Sequence, residues 1–426
     1  MQPIIREIGG ARLFCIPTDK FKSEYFSLRF TLPLCEETVQ HTTLLTSVLG
    51  RGTSAHPTKL AINRYLDELY STSISARNQR IGDMQRIGFS ADLLGSRYVG
   101  GKGILPAVID AVAELFYRPY LEDGFFCTEY VESEKNNLRD AIRATINNPR
   151  SYARARCRRL LCAGEPFALS LIGEECGVDG ITPRSLTERY QTLLEDATPV
   201  FFYVGSTPAE EVAAMIRHSF PRFHGKNAPY RADIKRHHGA PVRGEEAMPL
   251  CQGKLSIGFR TDASIADCDA PAMLLLNELF GGSPASKLFL NVREKRSLCY
   301  HCSSELDLYK GVMFANAGMT PGNRAITEEA MLTELAAIGK GDITATEFEA
   351  AKRSLDHSYR QTLDNPAALS SFYSGRALIG STETVEDFRL RVAAVTVSDV
   401  VDAASRVDLG AIFFLNGTLE GEEDEE

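Results

Sequence analysis

The sequence predicts an α+β protein of two homologous domains from an internal duplication, each an antiparallel-rich sheet with helices packed on one face. Three observations lead to this fold class. The chain has 426 residues, which is too long for a single hydrophobic core. Segments with strand-type alternation are separated by segments with helical periodicity. The same order of segments then occurs a second time, and a repeat of this size determines the architecture.

Two different periodicities indicate the strands and helices of the first copy. Residues 25–32 and 86–94 alternate apolar and polar side chains, as half-buried antiparallel strands do. Residues 57–70 open with a proline and place apolar side chains on one helical stripe. A long helical pattern follows from about residue 123 to residue 146, and residues 197–206 are typical of a closing buried strand. The apolar members of the alternating strands are Phe26, Leu28, Phe30, Leu32, Ile87, Phe89, Ala91 and Leu93.

The second copy repeats this order. Residues 254–260, KLSIGFR, alternate as residues 25–32 do, about 230 residues later. The pair Asn148-Pro149 in the first copy matches Asn365-Pro366 in the second, and the closing strands also match, at offsets of 212 to 217 residues. We therefore predict a domain at 1–220, a linker at 221–253 that is rich in Pro, Arg, His and Gly, a second domain at 254–420 and an acidic tail at 421–426.

Composition and charge exclude several classes of protein. The net charge of −9 and the pI near 5.6 argue against nucleic-acid binding, which needs a basic surface. No apolar run reaches the roughly 18 residues of a membrane span. The first residues, MQPIIREIGG, lack the pattern of a signal peptide. The ten cysteines are scattered, as they are in reducing compartments, so we expect a cytoplasmic protein.

One cysteine pair, Cys299 and Cys302 in CYHC, has the spacing of a redox or metal half-site. Such a site needs a second pair or a helix N-terminus, and the sequence offers neither. If this segment is a strand, alternation sends the two thiols to opposite faces. We therefore expect two small buried side chains.

The sequence contains no complete catalytic motif of the zinc, nucleophile-turn or phosphate-loop kinds. None of the eight histidines falls into H-E-x-x-H or H-x-x-E-H, in which two histidines one helical turn apart hold zinc. His237 and His238 are adjacent in the predicted linker, and His41 has no histidine four residues later. The chain also lacks a G-x-S-x-G nucleophile turn and a G-x-x-x-x-G-K-[ST] phosphate loop. On these grounds the chain is not catalytic alone.

The duplicated half resembles the pitrilysin/insulinase family of inverzincin metallopeptidases. The resemblance lies in LLTSVLGRGT in the first copy and LFGGSPASKLFLNVREKRSLCY in the second, and it covers nearly the whole chain. The sequence is most similar to the bacterial branch of half-length subunits, which includes pairs like the mitochondrial processing peptidase. Active members carry H-x-x-E-H on the helix before the Gly-Thr turn.

The resemblance places the zinc positions on residues that cannot serve them. Thr43, Thr46 and Ser47 stand where the family has its two histidines and its general-base glutamate. A hydroxyl is a poor zinc ligand and cannot act as the base for a metal-bound water. The third family ligand matches Glu134, which falls on an apolar helical stripe. This glutamate is either a remnant ligand or a carboxylate that reaches solvent or pairs with an arginine, and neither restores a metal site.

Two further family residues are retained in the second copy. Arg293 and Tyr300 match the pair that, in the family, faces the zinc across the substrate chamber. A phenol can donate a hydrogen bond to the carbonyl oxygen that gains negative charge during peptide hydrolysis, and a guanidinium can hold substrate carbonyls. Arg296 competes for the arginine role, but the seven-residue spacing favours Arg293. The ordinary structural alternative is a helix-end arginine and a half-buried strand tyrosine.

Two functions follow from the resemblance. The first is a subunit without zinc or any other cofactor, which contributes Arg293 and Tyr300 to the active site of a homologous zinc-bearing partner subunit. The partner subunit cleaves peptides, and the substrate binds as an added strand at a sheet edge. The second is a non-enzymatic scaffold or assembly subunit with the same fold, like core subunits of respiratory complexes. A third and weaker possibility is an enzyme with an unrecognised metal site.

Overall fold

The computed structural model describes residues 1–100, 103–223, 230, 232–236 and 239–419. The predicted acidic tail 421–426, His237 and His238 lie outside the described residues. The chain forms two compact units. Unit 1 consists of Met1–Arg143, Leu169–Arg231 and Gln361–Glu386, and unit 2 of Ala144–Ala168, Ala232–Arg360 and Asp387–Glu426.

The first half of the chain contains eight strands and eight helices within its described residues. Three of the helices begin with a proline in their first turn, where its missing N–H costs nothing. In chain order the elements are β1 (Ile4–Ile8), β2 (Ala11–Pro17), β3 (Ser23–Pro33), α1 (Glu36–Leu49), α2 (Lys59–Glu68), β4 (Ser73–Ile81), β5 (Met84–Leu94), α3 (Leu105–Tyr117), β6 (Leu121–Glu122), β7 (Phe125–Phe126), α4 (Thr128–Arg143), α5 (Pro149–Leu161), α6 (Glu175–Val178), α7 (Pro183–Asp196), β8 (Val200–Gly205) and α8 (Ala209–Ser219).

The second half adds five strands and six helices among the described residues, together with two π-helical segments at Glu278–Gly282 and Leu288–Lys295. In chain order the elements are β9 (Val242–Met248), β10 (Gly253–Arg260), α9 (Ala270–Asn277), β11 (His301–Asp307), β12 (Val312–Met319), α10 (Arg324–Gly339), α11 (Ala345–Thr362), α12 (Pro366–Leu378), α13 (Val385–Ala394), α14 (Val397–Ala404) and β13 (Asp408–Gly417).

Among the described residues, the two sheets share the topology of five strands, and the unit 1 sheet has β1 as an additional edge strand. In unit 1 the strand order is β1-β2-β8-β3-β5-β4, and in unit 2 it is β11-β12-β10-β13-β9. In each sheet the central strand, β3 or β10, pairs antiparallel with both neighbours, and the closing strand, β8 or β13, pairs parallel with β2 or β9. This correspondence confirms the predicted α+β fold with two homologous halves.

Strand β9 lies inside residues 221–253, the segment interpreted as a linker. It runs parallel to β13 at the edge of the unit 2 sheet, from the pair Val242–Ala411 to the pair Met248–Gly417. Its side chains are mostly polar and exposed or half-buried. An edge strand has one neighbour and needs no apolar run, so the sequence of β9 carries little strand signal.

The alternation of β3 gives the unit 1 sheet two different faces. One face holds Phe26, Leu28 and Phe30, which are fully buried in the core with side chains of α1, α3 and α8. The other face holds Ser27, Arg29 and Thr31. This polar face is covered by α12, whose serines accept hydrogen bonds from sheet arginines.

Helix α12 comes from the second half of the chain, yet it belongs to unit 1, and α5 from the first half belongs to unit 2. Both begin after an asparagine whose side chain accepts a backbone N–H: Asn148 from Ser151 and Asn365 from Ala368. The matching Asn-Pro pairs therefore mark the start of the corresponding helix in each copy. Each unit takes one covering helix from the opposite half of the sequence.

Candidate functional site

The zinc-motif positions lie on α1, and the hydroxyl of Thr43 is fully engaged there. It donates to the carbonyl oxygen of Leu171 and accepts from Asn78 Nδ2 at 2.8 Å and from Gln85 Nε2 at 3.1 Å. A hydroxyl offers one donor and two acceptor sites, so none is left for a metal. Thr43 is a buried hydrogen-bond centre that ties α1 to β4 and β5.

The next two positions also do not fit a metal site. Thr46 is buried, and its hydroxyl donates to the carbonyl oxygen of Thr42 at 2.8 Å, one turn earlier in the same helix. Ser47 is exposed. Helix α1 therefore presents no charged or imidazole ligand at the family's zinc positions.

Glu134 on α4 is paired with an arginine. Its Oε1 lies 3.3 Å from Arg51 Nη1, with the two side chains 13% and 25% exposed, and its Oε2 accepts from Asn137 Nδ2 at 3.1 Å. Arg51 also donates to Ser133 Oγ at 3.1 Å and lies over the ring of Tyr130. Of the two interpretations of Glu134, the structure favours the paired carboxylate. The positive charge beside this carboxylate comes from Arg51.

Among the residues that the structure describes, no group of three or more His, Cys, Asp or Glu side chains could hold a metal ion. His41 is partly buried near Ser185 Oγ, at 3.3 Å, and burial lowers its pKa, with a further contribution from Arg189. His56 Nδ1 lies 3.1 Å from Glu114 Oε2, which also accepts from the Thr53 hydroxyl at 3.3 Å. The Glu114 carboxylate thus connects His56 to Thr53 and stabilises the Gly-Thr turn. The sequence did not indicate these contacts.

The retained arginine and tyrosine lie in unit 2. Arg293 is in the π-helical segment Leu288–Lys295, 38% exposed, with its guanidinium 4.6 Å from the Phe289 ring centre and its Nε 3.6 Å from Glu294 Oε1. The Gly-Gly bend before this segment approaches β11 closely. A Cβ on Gly281 would lie 2.5 Å from Ser304 N, so only glycine fits there.

Tyr300 stands immediately before β11 and is 59% exposed. Its backbone N–H donates to Gly318 at 2.8 Å, which fixes the residue at the end of the sheet edge. Its phenol oxygen lies 3.3 Å from Thr320 Oγ1. Tyr300 is therefore not the half-buried strand residue of the ordinary structural alternative, because its ring projects from the sheet.

The CYHC segment differs from its expected geometry. Strand β11 starts at His301, so Cys299 precedes the strand and alternation does not separate it from Cys302. The two buried thiols hydrogen-bond to each other, which lowers the pKa of Cys299 and raises that of Cys302. Opposite faces were expected only for a continuous strand through both cysteines, and that condition is not met; both side chains are buried.

The surroundings of His301, the residue after Tyr300, are positively charged. Burial lowers the pKa of the neighbouring His301 to about 4, with further contributions from Arg150, Lys254 and Arg293. Near neutral pH this histidine is therefore neutral, and the three cations supply the local charge. The arrangement suits a ligand with electron-rich oxygens, such as peptide carbonyls.

Fold and residues together define a metallopeptidase-like protein in which Thr43, Thr46 and Ser47 occupy the zinc-motif positions. Residues 180–355 match the family model described as the peptidase M16 inactive domain. A relative from Bacillus subtilis (strain 168), described as the probable inactive metalloprotease YmfF, is 31% identical over 414 residues, 96% of each chain. The chain therefore belongs to the M16 peptidase family, as an inactive member, and the predicted resemblance is confirmed.

Solved structures agree with this assignment. A conserved protein from Enterococcus faecalis V583 is 28% identical, with a TM-score of 0.90 over 99% of this chain and 100% of that one. A peptidase M16 inactive domain from Pseudomonas fluorescens, 20% identical, shares the fold with a TM-score of 0.80 over 99% and 100% of the two chains. Within the described residues, no helix is both long enough and apolar enough to cross a bilayer.

Proposed function

We propose that this protein is the zinc-free subunit of a heterodimeric peptidase, in which a homologous zinc-bearing subunit cleaves peptides. This chain contributes Arg293 and Tyr300 to substrate binding and to stabilisation of the transition state. The partner's zinc supplies the activated water. The main support for the proposal is that the residues at the zinc-motif positions are replaced, whereas Tyr300 is retained and exposed.

The retained tyrosine is suited to this role. Its phenol contacts a neutral hydroxyl, Thr320 Oγ1, at the long distance of 3.3 Å, so a substrate oxygen can replace that contact at little cost. A neutral phenol donates to the oxygen that becomes negative as the peptide bond is attacked. Arg293 holds its guanidinium on the face of Phe289, which positions the charge, and its Nε lies 3.6 Å from Glu294 Oε1 in an ion pair that is 38% and 53% exposed.

The peptide backbone itself can be bound at a sheet edge. Within the part of the chain that the structure describes, strand β11 follows Tyr300 directly and pairs with β12 alone, so its other side is a sheet edge. The Gly281 bend lies against Ser304 of this strand. Strand addition satisfies backbone groups whatever the peptide sequence, which suits a processing enzyme with broad substrates.

The experiment is a reconstitution. The protein is co-expressed and co-purified with zinc-bearing homologues of its own genome, and cleavage of a fluorogenic peptide library is measured for each protein alone and for the mixture. We expect cleavage by the mixture and none by this chain alone. The Tyr300→Phe variant should lower kcat by roughly 100- to 1000-fold, the usual effect of losing one such donor.

Tyr70→Phe is the matched control, because Tyr70 is equally exposed, at 57%, and has no counterpart in the family site. It should leave kcat unchanged. Full cleavage by this chain alone would contradict the proposal, and so would an unchanged kcat in the Tyr300→Phe pair. Stable assembly with a homologue without any cleavage would instead support the scaffold function.

A further inference from the structure

Unit 1 contains a cavity of about 320 Å³ between the polar face of its sheet and the end of α12. Three arginines from three different strands line it: Arg12 of β2, Arg29 of β3 and Arg86 of β5. Among the described residues that line the cavity, none is an aspartate or a glutamate. This cavity plays no part in the function proposed above, and the inference drawn from it does not depend on that function.

Strand register places the three arginines close together on one face. Arg12 and Arg29 are both paired with Val200 of the strand between them, so their Cα atoms are about 10 Å apart. Arg86 pairs with Thr31, two residues from Arg29, and is therefore its diagonal neighbour at about 7–8 Å. Three positive charges at such distances repel one another and favour a negatively charged ligand.

The observed contacts of Arg29 are neutral. Its Nη2 donates to the Ser370 hydroxyl at 2.9 Å, and its guanidinium lies 5.0 Å from the ring centre of Phe202. Burial lowers the pKa of Arg29, and Arg77 adds to this effect while Tyr25 opposes it. Arg86 is 6% exposed and donates to the Ser374 hydroxyl at 2.6 Å. Burying the Arg29 guanidinium against a hydroxyl is costly, and an oxyanion would offset that cost.

The duplicated fold provides an internal comparison. Register places Gly258 of β10 where unit 1 has Arg29, and Val312 of β12 where unit 1 has Arg86. Counting from the two Asn-Pro pairs, Ala153 and Cys157 of α5 correspond to Ser370 and Ser374 of α12. These four polar residues of unit 1 are thus apolar residues or glycine in unit 2. Thr31, which also lines the cavity, corresponds to Arg260, which is buried and donates to Leu161 and Glu165.

The corresponding interface in unit 2 is filled. A Cβ built on Gly258 would lie 3.1 Å from Leu161 Cδ2 and 3.2 Å from Cys157 Sγ, which leaves no room beside the helix. Leu161, Cys157 and Phe314 form a buried apolar cluster there. The fold therefore does not require a polar cavity between this helix and its sheet, and the cavity of unit 1 needs a separate explanation.

We propose that the unit 1 cavity binds a small organic molecule that carries a phosphate group or at least two carboxylates. The guanidinium forks of Arg12, Arg29 and Arg86 would hold the oxyanion, since planar forks match carboxylate and phosphate oxygens in pairs. Phe202, Val200 and Leu378 form an apolar wall for the rest of the molecule. The cavity volume lies at the lower end of the range for small-molecule sites.

Calorimetric titration of the full chain with pyrophosphate, AMP and citrate, at ionic strength held constant with NaCl, tests the proposal. Binding by the phosphate compounds only, or by citrate only, supports it and identifies the preferred oxyanion. Arg12→Gln removes a guanidinium that is only half-buried, so this variant should fold, and the Kd should rise by about tenfold or more. Arg29→Met should abolish binding.

Arg97→Gln is the control, because it removes one exposed positive charge from the same unit outside the cavity. Its Kd should stay within twofold of the original. Absence of heat with all three anions at millimolar concentration overturns the proposal. Equal weakening by Arg12→Gln and Arg97→Gln also overturns it, because that result would show nonspecific charge attraction.

Discussion

Restoring the family's zinc motif should give only weakened zinc binding as long as Arg51 holds Glu134. The perturbation is the triple variant Thr43→His, Thr46→Glu, Ser47→His, which supplies the missing histidines and the general base. The third zinc ligand of the family, the Glu134 carboxylate, stays 3.3 Å from the Arg51 guanidinium. A zinc ion would have to displace this cation or share the carboxylate with it.

The magnitude follows from the geometry of the ion pair. Two unit charges 3.3 Å apart attract each other by about 5 kcal/mol at an effective dielectric constant of about 20. The side chains are 25% and 13% exposed, so solvent screening and desolvation reduce the net value to about 1–2 kcal/mol. Since 1.4 kcal/mol corresponds to tenfold in affinity, adding Arg51→Leu to the triple variant should tighten zinc binding about tenfold.

The assay is a competitive zinc titration against a chromophoric chelator, with circular dichroism to verify folding. The matched control adds Arg139→Leu to the triple variant instead. Arg139 is another arginine of this region: it lies on α4 and forms an ion pair with Asp179. This control should bind zinc no more tightly than the triple variant. If the triple variant already binds zinc as tightly as the one with Arg51→Leu, then Arg51 does not block the site and the reasoning is refuted.

Two predictions concern the buried charges of unit 2. Glu165 accepts hydrogen bonds from Arg260 and from the fully buried Lys310. Glu165→Gln should therefore lower the free energy of unfolding, measured in urea, by about 3–5 kcal/mol. The control Glu188→Gln, at an exposed ion pair, should change it by less than about 0.5 kcal/mol, and equal effects of the two variants would contradict the buried network. The pKa of His301 is about 4 in the folded state and about 6.5 in the unfolded state. As the pH falls, the unfolded chain therefore takes up the proton first. The stability that the neutral ring contributes is lost between pH 6.5 and 4. Urea unfolding at pH 7, 5 and 4 should show a smaller decline for His301→Gln than for the original protein, and parallel declines would show that His301 is not responsible.

The sequence predicted the sheet cores well because their signal is local. The alternation of Phe26, Leu28 and Phe30 with polar residues is a property of one strand, and it fixes which face meets the core. The internal repeat then predicted the second unit from the first. Strand β9 was missed because an edge strand with exposed side chains has no such alternation.

Contacts between distant segments could not be predicted in the same way. The apolar stripe of α4 showed that Glu134 needs a partner, but nothing in the pattern pointed to Arg51. The alternation of β3 placed Arg29 and Thr31 on the face away from the apolar core, but it did not show that α12 covers this face. Periodicity tells which face of an element is apolar, and it does not tell which distant element covers the other face.

The exchange of α5 and α12 between the halves has a consequence for biosynthesis. Arg29 is separated from Ser370, its hydrogen-bond partner on α12, by 341 residues. At about 5–20 residues per second, the ribosome needs roughly 20–70 s to bridge that interval. During this time the arginine-bearing face of the first sheet is without its helix, and α5 has been made without the second sheet. Neither half can reach its final state as a nascent chain, so maturation of both units is postponed until synthesis is almost finished.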